Sequence, residues 1–300
     1  MSVTALRNDR AQSNHQAVRA VLVAGALGMF LLSALFILAA PAGSAWRDLV
    51  AKLWPWVDSP LSYYFLAAMQ AAIGAAMLWI GLSGEMAALA PGALNLVVMM
   101  AGCAISFYSI SLDTQLSDAL KAPTLGFAIG CGLFALFNIW LYVWARRLPF
   151  QSDQPLPRLL RLSYVIFTLV LAAVGLALLP GRYAILPWTF GDENRFTPVI
   201  FGWMFFGDAF YFLYAVLIPR WRAACAQLCS FLAYDLVLLG PFLIRWPVIR
   251  DLAPFADIPR LPPELIDNLL VYSLVLIYSG ALGVYYLFID RRTRLVARGD

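Results

Sequence analysis

Eight stretches of about twenty apolar residues, almost free of charge, decide what this chain can become. They cover roughly 18–40, 61–82, 89–111, 123–145, 160–180, 197–219, 223–244 and 267–289. Each is long enough to cross a hydrocarbon layer about 30 Å thick as a helix. None alternates strictly enough for a barrel strand, and hydrocarbon allows no other way to satisfy a spanning backbone. Composition agrees, with 62% hydrophobic and 13% charged residues and a mean hydropathy of +0.78, whereas soluble chains carry about 25% charge. The predicted fold class is an all-α integral membrane protein with eight transmembrane helices. The lipid bilayer is its first partner.

Orientation follows from basic residues, which concentrate on the cytoplasmic side of a membrane. With both termini cytoplasmic, 13 of the 21 Lys and Arg residues fall inside, among them Arg7, Arg10, Arg19, Arg146, Arg147, Arg158, Arg161, Arg220, Arg222, Arg291 and Arg292. The other side collects Asp48, Asp58, Asp113, Asp118, Asp192, Glu193, Asp251, Asp257, Glu264 and Asp267. The net charge of +4 is therefore a property of one face, and nucleic acid is not an expected partner. The expected location is the inner or plasma membrane. The first apolar stretch, Ala20–Ala40, exceeds the 7–15 residues of a signal-peptide core, so a retained first helix is expected.

The punctuation of the helices repeats. Arg19 and Pro41 bracket the first helix as Arg158 and Pro180 bracket the fifth. LWPW at Leu53–Trp56 answers ILPW at Ile185–Trp188, and the hydroxyl-Pro pairs Ser59–Pro60 and Thr197–Pro198 each open a helix as N-cap and first residue. Each half stops at a double arginine, Arg146–Arg147 and Arg291–Arg292. The reading is two parallel four-helix pseudo-repeats. Residues 1–17 form a cytoplasmic tail, 18–147 the first repeat, 148–157 a linker, 158–292 the second repeat and 293–300 a second tail.

Two aspartates interrupt this pattern. Asp208 lies in FGWMFFGDAFYFLYAV and Asp235 in CSFLAYDLVLLGPF, each the single charge of its helix interior. At about 1.5 Å per residue they stand ~16 and ~20 Å above the inner boundary, near mid-depth. No Lys or Arg shares that depth, so a retained or shared proton is the expected way to limit their charge. Aligning the repeats on Pro60 and Pro198 sets Gln70 over Asp208, and a two-residue shift sets Asn95 over Asp235. Gln70, Asn95, Tyr211 and Tyr234 are the expected hydrogen-bond partners of the two acids. Intramembrane carboxylates mark ion paths and proton relays, or else bond neighbouring helices together.

Other chemistry finds little support. The single histidine, His15, lies in the tail, where it cannot ligate a haem at depth. No P-loop, HExxH, GxSxG or dinucleotide fingerprint occurs. The sequence thus implies no cofactor and no catalytic or metal-binding residue. Cys103, Cys131, Cys225 and Cys229 read as small hydrophobes. Gly126 and Gly130 read as a close helix-packing pair, and Ser44–Leu53 as an interfacial helix capped by Ser44. The Pro-rich stretch Arg245–Asp267 reads as an ordered cap, and Gly240–Pro241 and Ala90–Pro91–Gly92 as points where a helix could break. The leading function is a small-solute or ion permease whose partners are a solute and a proton. The alternative is a non-catalytic subunit or assembly factor bound to another membrane protein, and a lipid-modifying enzyme ranks third.

Overall fold

The described residues form ten α-helices, of which the eight long ones follow the hydropathy pattern. In the computed structural model they are α1 (Val3–Ala39), α2 (Arg47–Val50), α3 (Pro60–Ser83), α4 (Leu89–Ser111), α5 (Asp118–Ala145), α6 (Arg158–Leu178), α7 (Thr197–Leu217), α8 (Trp221–Leu243), α9 (Pro247–Arg250) and α10 (Ile266–Val284), continued by a π-helical turn at Tyr285–Ile289. The structure describes residues 3–41, 43–114, 116–188, 190, 194–252, 258 and 260–295, with side chains from residue 16 onward. Asp192, Glu193, Asp257, the side chain of His15 and tail residues 296–300 lie outside that description. Eight of the helices are long and apolar enough to span a membrane, and the described residues contain no strand. The chain is a polytopic, all-helical membrane protein.

Local chemistry explains most boundaries and corrects several expectations. Ser59 caps α3 by accepting from the Ser62 N–H, with Pro60 at the first position, and Gly84 ends the helix at φ 74°. Thr197 does not cap α7. It is the first helical residue, and its hydroxyl is spent on Asp58. Helix α1 begins at Val3, so most of the expected tail is helical. The interfacial segment contains only a four-residue helix, and Ser44 sits before it, donating to the Leu38 carbonyl and accepting from the Trp46 N–H. The expected break points are continuous helix, because Pro91 lies in the first turn of α4 and Pro241 in the last turn of α8. The proline farther inside a helix is Pro123 of α5.

The spans pack as two rows. Helices α1, α3, α8 and α10 make one row, each against the next, and α5, α4, α7 and α6 make the other. Helices α7 and α8, joined by the turn at 218–220, therefore belong to different rows. Aromatic rings fill the seam on the side that carries α2, where Phe65 of α3 lies 4.4 Å from Phe201 and 5.2 Å from Phe205 of α7. Along one edge α6 meets α10 through the Ser163–Tyr278 hydrogen bond. On the opposite, turn face, the 148–157 connection is docked: Leu156 N–H bonds the Pro219 carbonyl, and Trp221 N–H bonds the Gln154 carbonyl.

Within a row, glycine sets how closely helices approach. A Cβ on Gly207 of α7 would lie 2.6 Å from Asn95 Oδ1 and 2.8 Å from Met99 Cβ of α4. Gly126 and Gly130 are the reverse case, since nothing lies within 4 Å of where their Cβ atoms would be. They do not mediate helix packing, because the face of α5 that bears them looks away from α4. Gly207→Ala is expected to cost about 1–3 kcal/mol by overpacking, whereas Gly126→Ala and Gly130→Ala should be neutral or add up to about 1 kcal/mol each through helix propensity. Thermal unfolding in detergent measures the contrast, and equal losses at all three sites would contradict it.

Candidate functional site

The Gly207 contact brings α4 close enough for chemistry one residue farther on. Asn95 Nδ2 donates to Asp208 Oδ1 at 2.7 Å, joining two residues picked from sequence. With its N–H turned to the carboxylate, the Asn95 Oδ1 faces Gly207 and has no hydrogen-bond partner. Asp208 itself remains partly exposed.

Asp235 takes a different neighbour. It is 3% exposed and points to α10, where the Ser279 hydroxyl donates to Oδ2 at 2.7 Å. Gly280 makes room beside it, since a Cβ there would lie 3.5 Å from Oδ2. Oδ1 has no partner. The acids thus stand in opposite rows, each held by one neutral donor, and no hydrogen bond joins them. The sequence left open whether the two acids face each other; Asp235 turns to Ser279 of α10 and Asp208 to Asn95 of α4.

Tyrosines occupy the space around them. Tyr234 packs against Phe65 and Phe231, with ring centroids 6.2 and 5.9 Å away, and lies within electrostatic reach of Asp208, Asp235 and Tyr272. The Tyr211 side chain neighbours Ser230 of α8, and its carbonyl accepts from Gln227 Nε2 across the seam. Gln70 is partly exposed, and no side-chain hydrogen bond ties it to either acid. Ser279, Ser230 and Tyr272 escaped the sequence analysis. A Ser-Gly pair in an apolar helix, as at Ser279–Gly280, is a signal that could have marked the first of them.

Buried polar atoms without partners are rare in folded proteins. Here, among the described residues, they occur at three levels along the bundle: Thr124 Oγ1, Trp188 Nε1 and Tyr272 OH toward the α2 face, Asn95 Oδ1 and Asp235 Oδ1 near mid-helix, and Gln227 Oε1 and Tyr164 OH toward the turn face. The mid-helix atoms are acceptors. They suit a proton or a small cation and repel an anion. Among the described residues, no three or more His, Cys, Asp or Glu side chains gather as a metal site.

A further carboxylate organises the α2 face. Asp58, 4% exposed, accepts from Asn194 Nδ2 (2.8 Å) and Ser59 N–H (2.9 Å) at Oδ1, and from Thr197 Oγ1 (2.6 Å) and Trp54 Nε1 (3.2 Å) at Oδ2. Trp56 Nε1 donates in turn to Thr197 Oγ1 at 2.7 Å. The sequence placed Asp58 among the outer-loop acids and gave it no role, although it is the knot that ties 53–59 to 194–197. On the turn face the buried Glu85 similarly accepts from the Gln151 N–H, fixing the connection between α5 and α6.

Compared with known protein families, curated proteins and solved structures, the chain matches none. The site must therefore be interpreted from its own chemistry.

Burial pushes the Asp58 carboxyl above its usual range, and the hydrogen bonds it accepts from Thr197, Asn194 and the Ser59 N–H only partly offset this. A raised folded-state value means that this group's contribution to stability is full in acid and declines as pH rises past its unfolded value of 3.8. Asp58→Asn turns an N–H toward existing donors and should cost about 1–3 kcal/mol. The Tm difference between wild type and Asp58→Asn is expected to be larger near pH 4 than near pH 7. A difference that grows with pH would contradict the assignment.

Proposed function

We propose that the protein is a small-solute or ion permease in which Asp208 and Asp235 carry the coupling proton or cation. The observation that carries this reading is two carboxylates inside helix-spanning segments of opposite rows, each held by a single neutral donor. Ionised carboxylates in that setting are costly, so they are retained where they bind something. Two rows that meet along an aromatic seam also supply bodies that can rock against each other.

The packing further supports reading residues 18–147 and 158–292 as parallel repeats. Exchanging α1, α3, α4 and α5 for α6, α7, α8 and α10 converts one row into the other. On this reading the turn face, rich in arginine, is cytoplasmic and the membrane is the inner or plasma membrane.

A second reading, as a non-catalytic subunit or assembly factor, is favoured by one feature. Phe134, Phe137, Trp140 and Trp144 form a ring ladder along α5, with successive centroids 6.1, 5.7 and 6.3 Å apart, and the first three are exposed. Such a stripe fits a partner helix in the membrane.

The test is proton flux into proteoliposomes holding a pH-sensitive dye, across a panel of solutes. A solute that drives flux in wild type should lose about 10²-fold in rate in Asp208→Asn or Asp235→Asn, the scale of a removed proton acceptor. Flux unaffected by both substitutions would sink the permease reading. A stoichiometric membrane partner co-purifying in native lipid, with no flux for any solute, would establish the second.

A further inference from the structure

Three arginines converge on one cavity at the α2 face. It has a volume of about 240 Å³, and Arg245, Arg250, Arg260 and Asp251 line it together with Pro247 and Pro263. Arg245 follows the end of α8, Arg250 closes α9, and Arg260 stands before the turn that leads into α10. The Pro-rich cap thus gathers cations from three places along the chain. The permease reading gives them no role.

Their charges are unevenly answered. Asp251 Oδ1 accepts from Arg250 Nη1 at 2.7 Å and lies 3.4 Å from Arg260 Nη2. Arg250 Nε donates to the Ile258 carbonyl at 2.9 Å, and its side chain is 16% exposed. Arg245 has no carboxylate partner among the described residues. Its Nη1 donates to the Pro241 carbonyl at 2.7 Å, and its Cζ stands 6.0 Å from the centroid of the Tyr64 ring. These two contacts fix a half-buried guanidinium while using one of its five N–H donors. Glu264 and Asp267, farther along the chain, are exposed and do not line the cavity. An anion is the group that completes such a site, because hydrogen bonds between ions are about twice as strong as neutral ones.

A purely structural role explains only part of this. Closing the end of α8 needs one donor to its last carbonyls, and it needs no cavity. On the proposed orientation this face is not cytoplasmic, so the bias that gathers arginine inside does not account for the cluster. The cavity is smaller than the roughly 300–1,000 Å³ of sites that enclose drug-sized ligands, so it fits a small anion or a single head group. Pro247 opens α9 and Pro263 opens the turn at Pro263–Leu265. Walls with such fixed dihedrals lose little freedom when a ligand enters.

We propose that this cavity binds a phosphate group between the guanidinium groups of Arg245, Arg250 and Arg260. The planar fork of arginine matches two phosphate oxygens at once, which lysine does not. Asp251 keeps Arg250 and Arg260 in place beside the entering anion. The phosphate comes either from solution as inorganic phosphate or from a lipid head group, since α8 ends and α10 begins at this level. The site is separate from Asp208 and Asp235 and does not rest on the permease reading.

The test uses the purified full-length protein in phosphate-free neutral detergent. Calorimetric titration with inorganic phosphate reads the free anion, and native mass spectrometry after addition of phosphatidylglycerol reads retained lipid. Arg245→Gln and Arg260→Ala should each weaken binding at least about tenfold, as the loss of one charge-assisted bond implies. Arg182→Ala removes an exposed arginine of the same face outside the cavity and should leave binding unchanged. The Arg260 side chain is 74% exposed, so its replacement keeps the test open if Arg245→Gln, which loses the Pro241 bond, fails to fold. Saturable phosphate binding with this pattern assigns the site to the free anion. Retention of one phosphatidylglycerol with this pattern, without phosphate binding, assigns it to a lipid head group. Binding of neither probe overturns the proposal, and so does binding that Arg182→Ala weakens as much as the cavity variants do.

Discussion

Hydrocarbon offers no hydrogen bonds, so every polar group this chain takes into the membrane must be satisfied by the chain itself or by something it admits. That constraint governs the architecture. It forces the eight spans into helices, and it makes each polar side chain between them costly unless a neighbour answers it. Asn95 answers Asp208 and Ser279 answers Asp235, each through one bond where a carboxylate can accept several. Asp58 at the α2 face is bonded more fully by contrast, with four donors on its two oxygens. One buried carboxylate at the α2 end is saturated, and two within the helices are left under-bonded. The first builds structure, and the others have capacity to spare.

The two-row arrangement gives that difference a mechanical sense. Each acid is fastened within its own row, Asp208 to α4 and Asp235 to α10. Contacts across the seam rest on aromatic rings, on the Gln227 bond to the Tyr211 carbonyl and on the edge bond between Ser163 and Tyr278. Rings slide past one another at small cost compared with breaking a saturated polar knot. The Asp58 network bridges the 53–59 segment and the start of α7, so it holds the α2 face of the seam shut in this conformation.

Much of the fold was legible in the sequence because hydropathy is a sum over twenty residues, and such sums survive local error. Helix α4 begins and ends where the apolar run does, at 89 and 111. That the two acids lie in the interior of their helices was legible too, since the helix ends could be read from the hydropathy. Their partners were only half legible. Asn95 was picked by repeat alignment, but it bonds Asp208, and the residue aligned over it, Asp235, bonds Ser279 on α10. Rotation of a helix about its axis decides such contacts, and an apolar helix carries little signal for its rotation. Gly126 and Gly130 misled for the same reason: the spacing that permits close packing occurs here on a face that α4 does not reach. Asp58 was missed because a loop acid looks solvated until donors from 136 and 139 residues away, Asn194 and Thr197, close over it.

The central claim is that Asp208 and Asp235 bind and release an ion within the membrane. The most direct measurement is charge displacement after a pH jump, recorded from the reconstituted protein on a solid-supported membrane, for wild type and for the double variant Asp208→Asn/Asp235→Asn. The account predicts a transient current in wild type that the double variant lacks. Identical traces from the two proteins would contradict it.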